Sequence, residues 1–239
     1  PLDGFLQAIT PLDLFYVRSH HYTPVVDAER YSLKVSGEVG TPLTLSLADL
    51  KKMPRHELIG VMECAGNGRA LYTPRMPGLQ WTYGGVGNAR WTGVRLADVL
   101  KRAGIKATGK HVLFDGADQP VGSMPKFQRT IPVEKALAAD TMLAFQMNGQ
   151  NLPAAHGFPL RAVVPGWSGD CWTKWLTGIT VLDREFDGFF MKTGYRHPGK
   201  GVPPGSTVDP AQMKPVEAIR VKSVIATPRE NQLLGQGPN

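Results

Sequence analysis

Residues 58–69 read Leu-Ile-Gly-Val-Met-Glu-Cys-Ala-Gly-Asn-Gly-Arg, an apolar run that ends at a cysteine and a glycine-rich loop. The run 58–62 predicts a β-strand, and the small residues after the cysteine predict a tight turn. The sulfur of Cys64 would therefore lie at a strand end, where the backbone can approach a ligand closely. Arg69 follows closely enough to favour the thiolate, which is the form of cysteine that binds metals or attacks electrophiles. The residue types leave a second interpretation open, a structural cysteine beside a turn.

Length and composition indicate a globular chain with a full hydrophobic core. The 239 residues suffice for one large domain or two small ones, and 42% hydrophobic with 20% charged residues is ordinary for such a chain. The 20 Pro and 27 Gly predict short elements with much ordered loop. No apolar run approaches the roughly 18 residues that cross a bilayer, so we expect no membrane span. Because the chain begins at Pro1 without a leader-like segment, we expect a trimmed form from which an export signal has been removed.

The net charge of +7 does not by itself indicate nucleic-acid binding, because Lys and Arg are scattered without a long basic block. We therefore expect no nucleic-acid partner, and a cationic funnel for a small oxyanion explains the charge equally well. Cys64 and Cys171 could form a disulfide, but neither has the spacing of a zinc site or a Cys-x-x-Cys motif. Cysteine spacing alone thus predicts no metal framework.

Short strands and helices follow one another without regular βαβ order, which predicts an α+β fold built from mixed sheets and short helices. Alternating or apolar runs predict strands at 31–39, 58–62, 111–114, 142–147, 160–164, 172–182 and 218–226. Helical patterns occur at 46–53, 94–103 and 132–139. Ser46 begins a capping-box signature, Gly104 ends the second helix, and Asn148-Gly149 predicts a hairpin. We interpret 84–91 as part of a Pro- and Gly-rich loop, and 197–213 as an extended linker or strap.

Polar side chains recur in loops that follow predicted strands, which is where sites usually form. They are Arg18, His20, Cys64, Arg69, Asp118, His156, Arg161, Lys174, Tyr195 and Arg196. One thiol among several cations suggests a ligand or a nucleophile inside an anion-binding pocket. Arg161, flanked by apolar residues, would be buried and would need an anionic partner. A Cys-His dyad with His20 or His156 is an alternative, but it explains neither the excess of cations nor the glycines at 84–87, which lack the context of a dinucleotide-binding motif.

Several motifs in combination resemble the molybdopterin-binding domain of the sulfite oxidase family. They are 63–69 (Glu-Cys-Ala-Gly-Asn-Gly-Arg), 87–93 (Gly-Asn-Ala-Arg-Trp-Thr-Gly), 147–149 (Met-Asn-Gly), 156–161 (His-Gly-Phe-Pro-Leu-Arg), 165–167 (Pro-Gly-Trp) and 174–176 (Lys-Trp-Leu). The resemblance extends over residues 15–225, almost the whole chain, and implies the sulfite oxidase-type molybdopterin-binding fold. It also implies that Cys64 is the thiolate ligand of a molybdenum ion that the dithiolene sulfurs of molybdopterin already hold.

The resemblance further implies roles for the side chains around this metal. Those expected to bind the cofactor are Tyr16, Val17, Arg18, Ser19, His20, Asp118, His156, Arg161, Trp172, Thr173 and Lys174. Those expected to act on the substrate as catalytic residues are Arg18, Arg69, Trp81 and Tyr195. Charge-assisted hydrogen bonds from such groups suit both a cofactor phosphate and an anionic substrate. The chain departs from the family pattern at Ser19, at Gly68 and at 170–172, where basic or small residues are usual, and we interpret Cys171 as a small buried residue.

The activity that the resemblance implies is oxidation of sulfite to sulfate at the molybdenum centre, with electrons passed to a c-type cytochrome in the periplasm. Related enzymes that act on sulfane sulfur or on a sulfoxide, and a non-catalytic cofactor-binding domain, are the alternatives. We expect residues 1–217 to form the cofactor-binding domain and 218–239 to begin an immunoglobulin-like dimerisation domain that is mostly absent. This arrangement leaves a homodimer and a heteromer open, and with them a partner that completes the site.

Overall fold

Short strands and helices follow one another along the chain in the computed structural model, which describes residues 7–225 and 227. The strands are β1 (Ser32–Gly37), β2 (Leu43–Ser46), β3 (Arg55–Glu63), β4 (Val86–Arg95), β5 (His111–Gly116), β6 (Gln128–Pro132), β7 (Met142–Met147), β8 (Gln150–Asn151), β9 (Arg161–Val163), β10 (Leu176–Leu182), β11 (Arg196–Pro198) and β12 (Met213–Pro215). The α-helices are α1 (Leu47–Lys51), α2 (Leu96–Ala103), α3 (Val133–Ala136) and α4 (Phe189–Lys192). The predicted α+β class is confirmed.

The first sheet has the strand order β2-β1-β10-β5-β6. Strands β1 and β10 run parallel and the other neighbouring pairs are antiparallel, so this sheet is mixed as expected. The sequence predicts β1, β5 and a strand within 172–182, where β10 occupies Leu176–Leu182. Residues 172–174 precede the strand and line a cavity. Strand β6 is not predicted, since its sequence Gln-Arg-Thr-Ile-Pro has little apolar alternation.

The second sheet is antiparallel, with the order β3-β4-β7-β8 and with β9 also paired to β7. The interpretation of 84–91 as loop is wrong from Val86 onward, because β4 begins there. Its buried positions include Gly87 and Ala89, whose small side chains hide the alternation of a strand. The hairpin predicted between β7 and β8 is confirmed, with both turn residues at positive φ.

The first two helices form where the sequence predicts them. The hydroxyl of Ser46 accepts a hydrogen bond from the Asp49 N–H, and the Asp49 carboxylate accepts one from the Ser46 N–H, both at 3.1 Å. Helix α2 ends at Gly104, whose φ of 67° is left-handed, but it begins at Leu96 because β4 continues through Arg95. Helix α3 has four residues instead of the predicted eight-residue span 132–139. The short helices confirm the expectation of elements separated by much loop.

The segment after β10 crosses the surface as a strap that contains α4 and the β11–β12 hairpin. The predicted strand 218–226 is wrong for the described residues 218–225, in which only Ala218 forms an isolated bridge, to Trp167. No neighbouring strand is available to residues 221–225 in the part that the structure describes, and their side chains are exposed. Most of the predicted start of a second domain, residues 226 and 228–239, lies outside the described residues.

The hydrophobic core contains residues of both sheets and of α2, so the two sheets form one packed unit. Trp91 of β4 contacts Trp172 edge to face, with 5.7 Å between ring centroids. Within residues 7–225 and 227, no helix has the length and apolar character that a bilayer crossing requires. The fold thus provides a rigid support from whose strand ends the loops of the candidate site project.

Candidate functional site

Loops from both sheets meet at one cavity of about 680 Å³, part of which is open to solvent. Most side chains that the sequence predicts for the site line this cavity, although they are far apart along the chain. They are Tyr16, Arg18, Ser19, His20, Cys64, Asp118, His156, Arg161, Trp172, Thr173, Lys174 and Tyr195. Because this convergence depends on tertiary structure, it is independent of the motif arguments that selected the residues.

Cys64 follows β3 directly and belongs to the wall of this cavity. Its N–H donates to the Gly85 carbonyl at 2.7 Å, and the Gly66 N–H donates to its sulfur at 3.5 Å. A Cβ at Gly66 would lie 2.7 Å from the Arg69 guanidinium, so glycine at this position lets that side chain pack closely against the loop. Burial raises the pKa of the Cys64 thiol, although Arg18 and Arg69 act to lower it. Arg69 thus acts on the thiol in the predicted direction, but burial outweighs it, and a bound metal ion would displace the proton.

Arg161 lies at the start of β9 and is buried, with 1% of its side chain exposed. Its guanidinium donates to the carbonyls of His156 and Trp172, both at 2.9 Å, and to the sulfur of Met62 at 3.1 Å. No carboxylate of the described residues pairs with it within 4.0 Å. Burial lowers the pKa of Arg161 to about 10. A buried guanidinium without a counterion favours an anionic ligand in the adjacent cavity.

Lys174 adds a second cation to the same wall. Its ammonium donates to the Ser19 hydroxyl at 2.6 Å and to the Ala155 carbonyl at 2.9 Å. Burial, followed by the charge of Arg161, lowers the pKa of Lys174 to about 7. The same two causes lower the pKa of His156 to about 4, so this imidazole is neutral at pH 7. An anion bound here would favour the charged form of Lys174.

Two further polar groups in the cavity bear on ligand binding. Asp118 is buried, and burial raises the pKa of its carboxyl group. A Cβ at Gly116 would lie 2.5 Å from an Asp118 oxygen, so glycine is needed to seat that side chain. The buried hydroxyl of Thr173 finds no hydrogen-bond partner among the residues that the structure describes. A polar ligand would supply that partner.

His20 connects two of the predicted catalytic residues, Arg18 and Tyr195. Its Nε2 lies 2.8 Å from the Tyr195 hydroxyl, and its Nδ1 lies 3.4 Å from an Arg18 nitrogen. Because Arg18 can only donate, Nδ1 is the acceptor, and the Nε2–H then donates to the Tyr195 oxygen. Burial, followed by the charge of Arg18, lowers the pKa of His20 to about 4, while burial raises the pKa of Tyr195. The phenol therefore keeps its own proton, which it can donate into the cavity.

Three predicted site residues lie outside this cavity wall. Val17 points to solvent, with 46% of its side chain exposed. Trp81 packs edge to face against Tyr16, with 5.9 Å between ring centroids, and so lies behind a residue of the wall. Arg69 donates to the Leu79 carbonyl at 3.0 Å and lines a second cavity.

The second cavity has about 1030 Å³ of open space and shares Cys64 with the first. Its lining is rich in basic side chains, namely Arg69, His197, Lys200, Arg220 and Lys222. The single carboxylate in this lining, within the described residues, is Glu63, whose Oε1 lies 2.5 Å from the Lys222 ammonium and accepts from Asn67 at 2.9 Å. The thiol of Cys64 is thus bordered on both sides by positive charge, which favours anions near the sulfur.

The sequence does not predict every residue of the site. Met62, Phe127, Asp170 and Trp175 also line the first cavity. Phe127 stacks on His20 at 4.9 Å between ring centroids, and no motif points to it because it lies in an irregular loop. Asp170 pairs at 2.9 Å with Arg129, which is buried. The sole sequence signal for this pair is the departure from the family pattern at 170–172.

One thiol amid unpaired buried cations can hold a metal ion only together with other ligands. Within the described part of the chain, no group of three or more His, Cys, Asp or Glu side chains could hold a metal. Cys64 and Cys171 are both free, so no disulfide competes for the thiol. A metal at Cys64 would therefore need a bound molecule for most of its coordination, and the cations favour an anionic one.

Comparison with known proteins connects this site to a cofactor. A family model described as "Oxidoreductase molybdopterin binding domain" matches residues 20–190. The mitochondrial sulfite oxidase of Drosophila melanogaster is 40% identical over 231 residues, which are 93% of this chain and 39% of that protein. The sulfite oxidase of Gallus gallus is 38% identical over 240 residues, 96% of this chain and 51% of that protein.

A solved structure is similar throughout the fold. A chain in the crystal structure of the sulfane dehydrogenase SoxCD from Paracoccus pantotrophus superimposes with a TM-score of 0.79 and 32% identity. The match covers 92% of this chain and 53% of that chain. This chain therefore spans about two fifths to one half of the length of these relatives. The matches confirm the resemblance that the sequence motifs indicate.

Proposed function

This chain belongs to the oxidoreductase molybdopterin-binding domain family, and we propose that it oxidises sulfite to sulfate with molybdenum–molybdopterin held at Cys64. Molybdopterin is the cofactor that the family match implies. The observation that supports the proposal most strongly is the pair of buried cations, Arg161 and Lys174, in one cavity with a free thiol. Neither cation is paired with a carboxylate of the described residues within 4.0 Å.

The residues present fit an anionic pterin cofactor. In this proposal Arg161 and Lys174 bind its phosphate, because both are desolvated donors without a charged partner. The hydroxyl of Thr173, which is buried without a partner, and the carboxyl group of Asp118 bind polar atoms of the pterin. Cys64 contributes the protein's single thiolate to the metal, consistent with the lack of other metal-ligating clusters in the described residues.

The cofactor would supply oxygen-atom transfer coupled to the change of two electrons at the metal. The task of the chain is then to bind and orient an anion beside Cys64. Arg18 lines the first cavity and Arg69 the second, and in this proposal both guanidinium groups bind sulfite oxygens. The Tyr195 oxygen accepts a hydrogen bond from His20. In this proposal the Tyr195 hydroxyl donates a hydrogen bond to the bound sulfite and stabilises negative charge that develops on its oxygen.

We further propose that a c-type cytochrome accepts the electrons and that the native protein works in the periplasm. The basic side chains of the second cavity beside Cys64 would attract an acidic protein surface or a small anion to that side. Residues 1–217 would form the cofactor-binding domain, and 218–239 would begin a second domain that mediates homodimer or heteromer formation. Cell fractionation tests the periplasmic location, and chemical cross-linking of the native protein tests homodimer or heteromer formation.

Steady-state kinetics on molybdenum-replete protein test the proposed activity. We expect sulfite-dependent reduction of cytochrome c, with kcat/KM lowered by about 10²- to 10³-fold in Arg69→Ala and Tyr195→Phe at full metal loading. Both variants at the wild-type kcat/KM would refute the assigned roles. A loaded protein that is inactive with sulfite and with related substrates would instead be the non-catalytic cofactor-binding domain.

A sulfane-sulfur substrate is a second candidate, favoured by the similarity to the sulfane dehydrogenase chain. The departures from the family pattern at Ser19, at Gly68 and at 170–172 also weaken the assignment to sulfite more than the assignment to molybdenum. Parallel assays with sulfite and with a persulfide on a carrier peptide discriminate the two. A larger kcat/KM for the persulfide would move the proposed function to this class.

A further inference from the structure

Asp170 is a buried carboxylate that borders the same cavity as the thiol of Cys64. A negative charge at this position works against a cavity that receives anions, because like charges repel strongly where water is excluded. Its influence reaches the site, since burial and then the charge of Asp170 raise the pKa of Tyr195. The cavity therefore needs a way to compensate this charge.

Arg129 of β6 provides the compensation from behind the wall. Its guanidinium is fully buried, and Nη2 lies 2.9 Å from Oδ2 of Asp170. The same nitrogen donates to the Val216 carbonyl at 2.7 Å, while Nη1 donates to the Phe190 carbonyl. The guanidinium carbon also lies 5.5 Å from the ring centroid of Tyr195. One side chain thus contacts the Asp170 carboxylate, the strap and the ring of a proposed catalytic residue.

We infer that Arg129 is a positioning residue that compensates the charge of Asp170 and supports Tyr195, and so keeps the cavity receptive to anionic substrates. Arg129 itself does not line the cavity in the described structure, so its effect on a substrate passes through Asp170 and Tyr195. The inference rests on the proposed function for the identity of the substrate. The claim about anion binding is independent of the proposed function, because anion binding can be measured without turnover.

Three variants of the cofactor-loaded protein distinguish the effect of charge compensation from the effect of the structural contacts of Arg129. They are Arg129→Met, Asp170→Asn and the double variant. Calorimetric titration with inorganic sulfate measures anion binding, and sulfite kinetics give KM and kcat separately. Burial raises the pKa of Asp170, so the measurements are made at alkaline pH, where the carboxyl group keeps its charge most fully after Arg129 is removed. Under these conditions Arg129→Met leaves the carboxylate without its cation, and we expect the sulfate Kd and the sulfite KM to rise about tenfold, with a smaller change in kcat. Asp170→Asn should lower the Kd, and the double variant should return it to within about threefold of wild type.

A purely structural role predicts a different pattern. The double variant lacks the guanidinium contacts to Phe190, Val216 and Tyr195, so it would bind sulfate as weakly as Arg129→Met, and this would overturn the inference. If Arg129→Met does not fold, Asp170→Asn decides, since weaker or unchanged sulfate binding would contradict the assigned charge role. Sulfate binding that follows the expected pattern in a protein inactive with sulfite would refute the proposed function and support the inference.

Discussion

Two buried arginines, Arg161 and Arg129, differ in what compensates their charge. Arg129 lies 2.9 Å from the carboxylate of Asp170, whereas Arg161 donates to two carbonyls and a thioether. Burial acts to lower the pKa of both, but Asp170 and Cys171 reverse the shift for Arg129, whose pKa is raised. The pKa of Arg161 remains lowered, at about 10.

The difference separates a charge whose partner the chain itself supplies from a charge for which we propose a partner in the bound cofactor. A buried ion costs several kcal/mol unless it is paired, and the chain supplies the partner of Arg129 itself. No carboxylate of the described residues pairs with Arg161, and the open cavity beside it can hold an anion. Substitutions at the two arginines and at their neighbours test this contrast.

The largest effect is expected at Cys64, in the wall of the cavity that contains Arg161. Cys64→Ser removes the sulfur ligand, so we expect sulfite oxidation to fall to about 1% of wild type or less, beyond the 10- to 100-fold cost of losing a secondary ligand contact. The matched control is Cys171→Ser, which changes the buried cysteine near Arg129 and should keep most of the activity. Equal activity of the two variants would contradict the assignment of Cys64 to the metal.

Substitution of Arg129 should mainly lower the stability of the protein, whereas substitution of Arg161 should mainly weaken cofactor binding. In cofactor-free protein, Arg129→Met leaves Asp170 unpaired and should lower the free energy of unfolding by about 3–5 kcal/mol, whereas Arg161→Met should lower it by no more than about 2 kcal/mol. In protein expressed with the cofactor, Arg161→Met should reduce the bound pterin about 10-fold or more, because charge-assisted bonds to the phosphate are lost. Denaturant unfolding and pterin fluorescence after release provide the measurements. Equal destabilisation by both substitutions would contradict the claim that the two arginines differ in what compensates their charge.

Lys174 should make the stability of the cofactor-free protein depend on pH. Its pKa is about 7 in the folded chain against 10.5 ordinarily, so between these values the unfolded chain binds more protons. Stability should therefore rise with pH across this window, by about 1 kcal/mol per pH unit, and the destabilising charge is fully present below pH 7. Denaturant midpoints from pH 7.5 to 9.5 test the slope against Lys174→Met, in which it should disappear. A bound anion, which favours the charged form, should flatten it as well.

The smallest effect is expected where a cation is paired but exposed. Lys222 lies 2.5 Å from Glu63, yet 53% of its side chain is accessible to solvent. Lys222→Met should therefore change the free energy of unfolding by less than about 1 kcal/mol, well below the effect of Arg129→Met. A comparable loss in both variants would mean that burial does not set the energetic difference between these ion pairs.

The sequence predicts the local features of this molecule well and the long-range pairings poorly. The capping box at Ser46, the hairpin at Asn148 and the strand that leads to Cys64 depend on neighbouring residues, and all three are confirmed. The pair of Arg129 with Asp170 joins β6 to a loop distant in sequence, so no local pattern reports it.

The residues of the candidate site divide in the same way. The burial of Arg161 follows from its apolar neighbours. Periodicity does not indicate that Tyr16, His156 and Tyr195 line one cavity, and only the family resemblance selects these residues from the sequence. The early part of β4 was hidden because glycine and alanine occupy its buried positions. Local residue patterns thus predict the strands, the helices and a single buried charge such as Arg161, whereas the assembly of the site depends on tertiary structure.

Molybdenum K-edge X-ray absorption on natively matured protein tests whether Cys64 is a ligand of a pterin-bound molybdenum. We expect about one molybdenum per chain, with one more sulfur ligand than the pterin alone supplies, and the loss of that sulfur in Cys64→Ser. A folded protein that carries neither metal nor pterin, or a metal whose sulfur coordination is the same in wild type and Cys64→Ser, would contradict it.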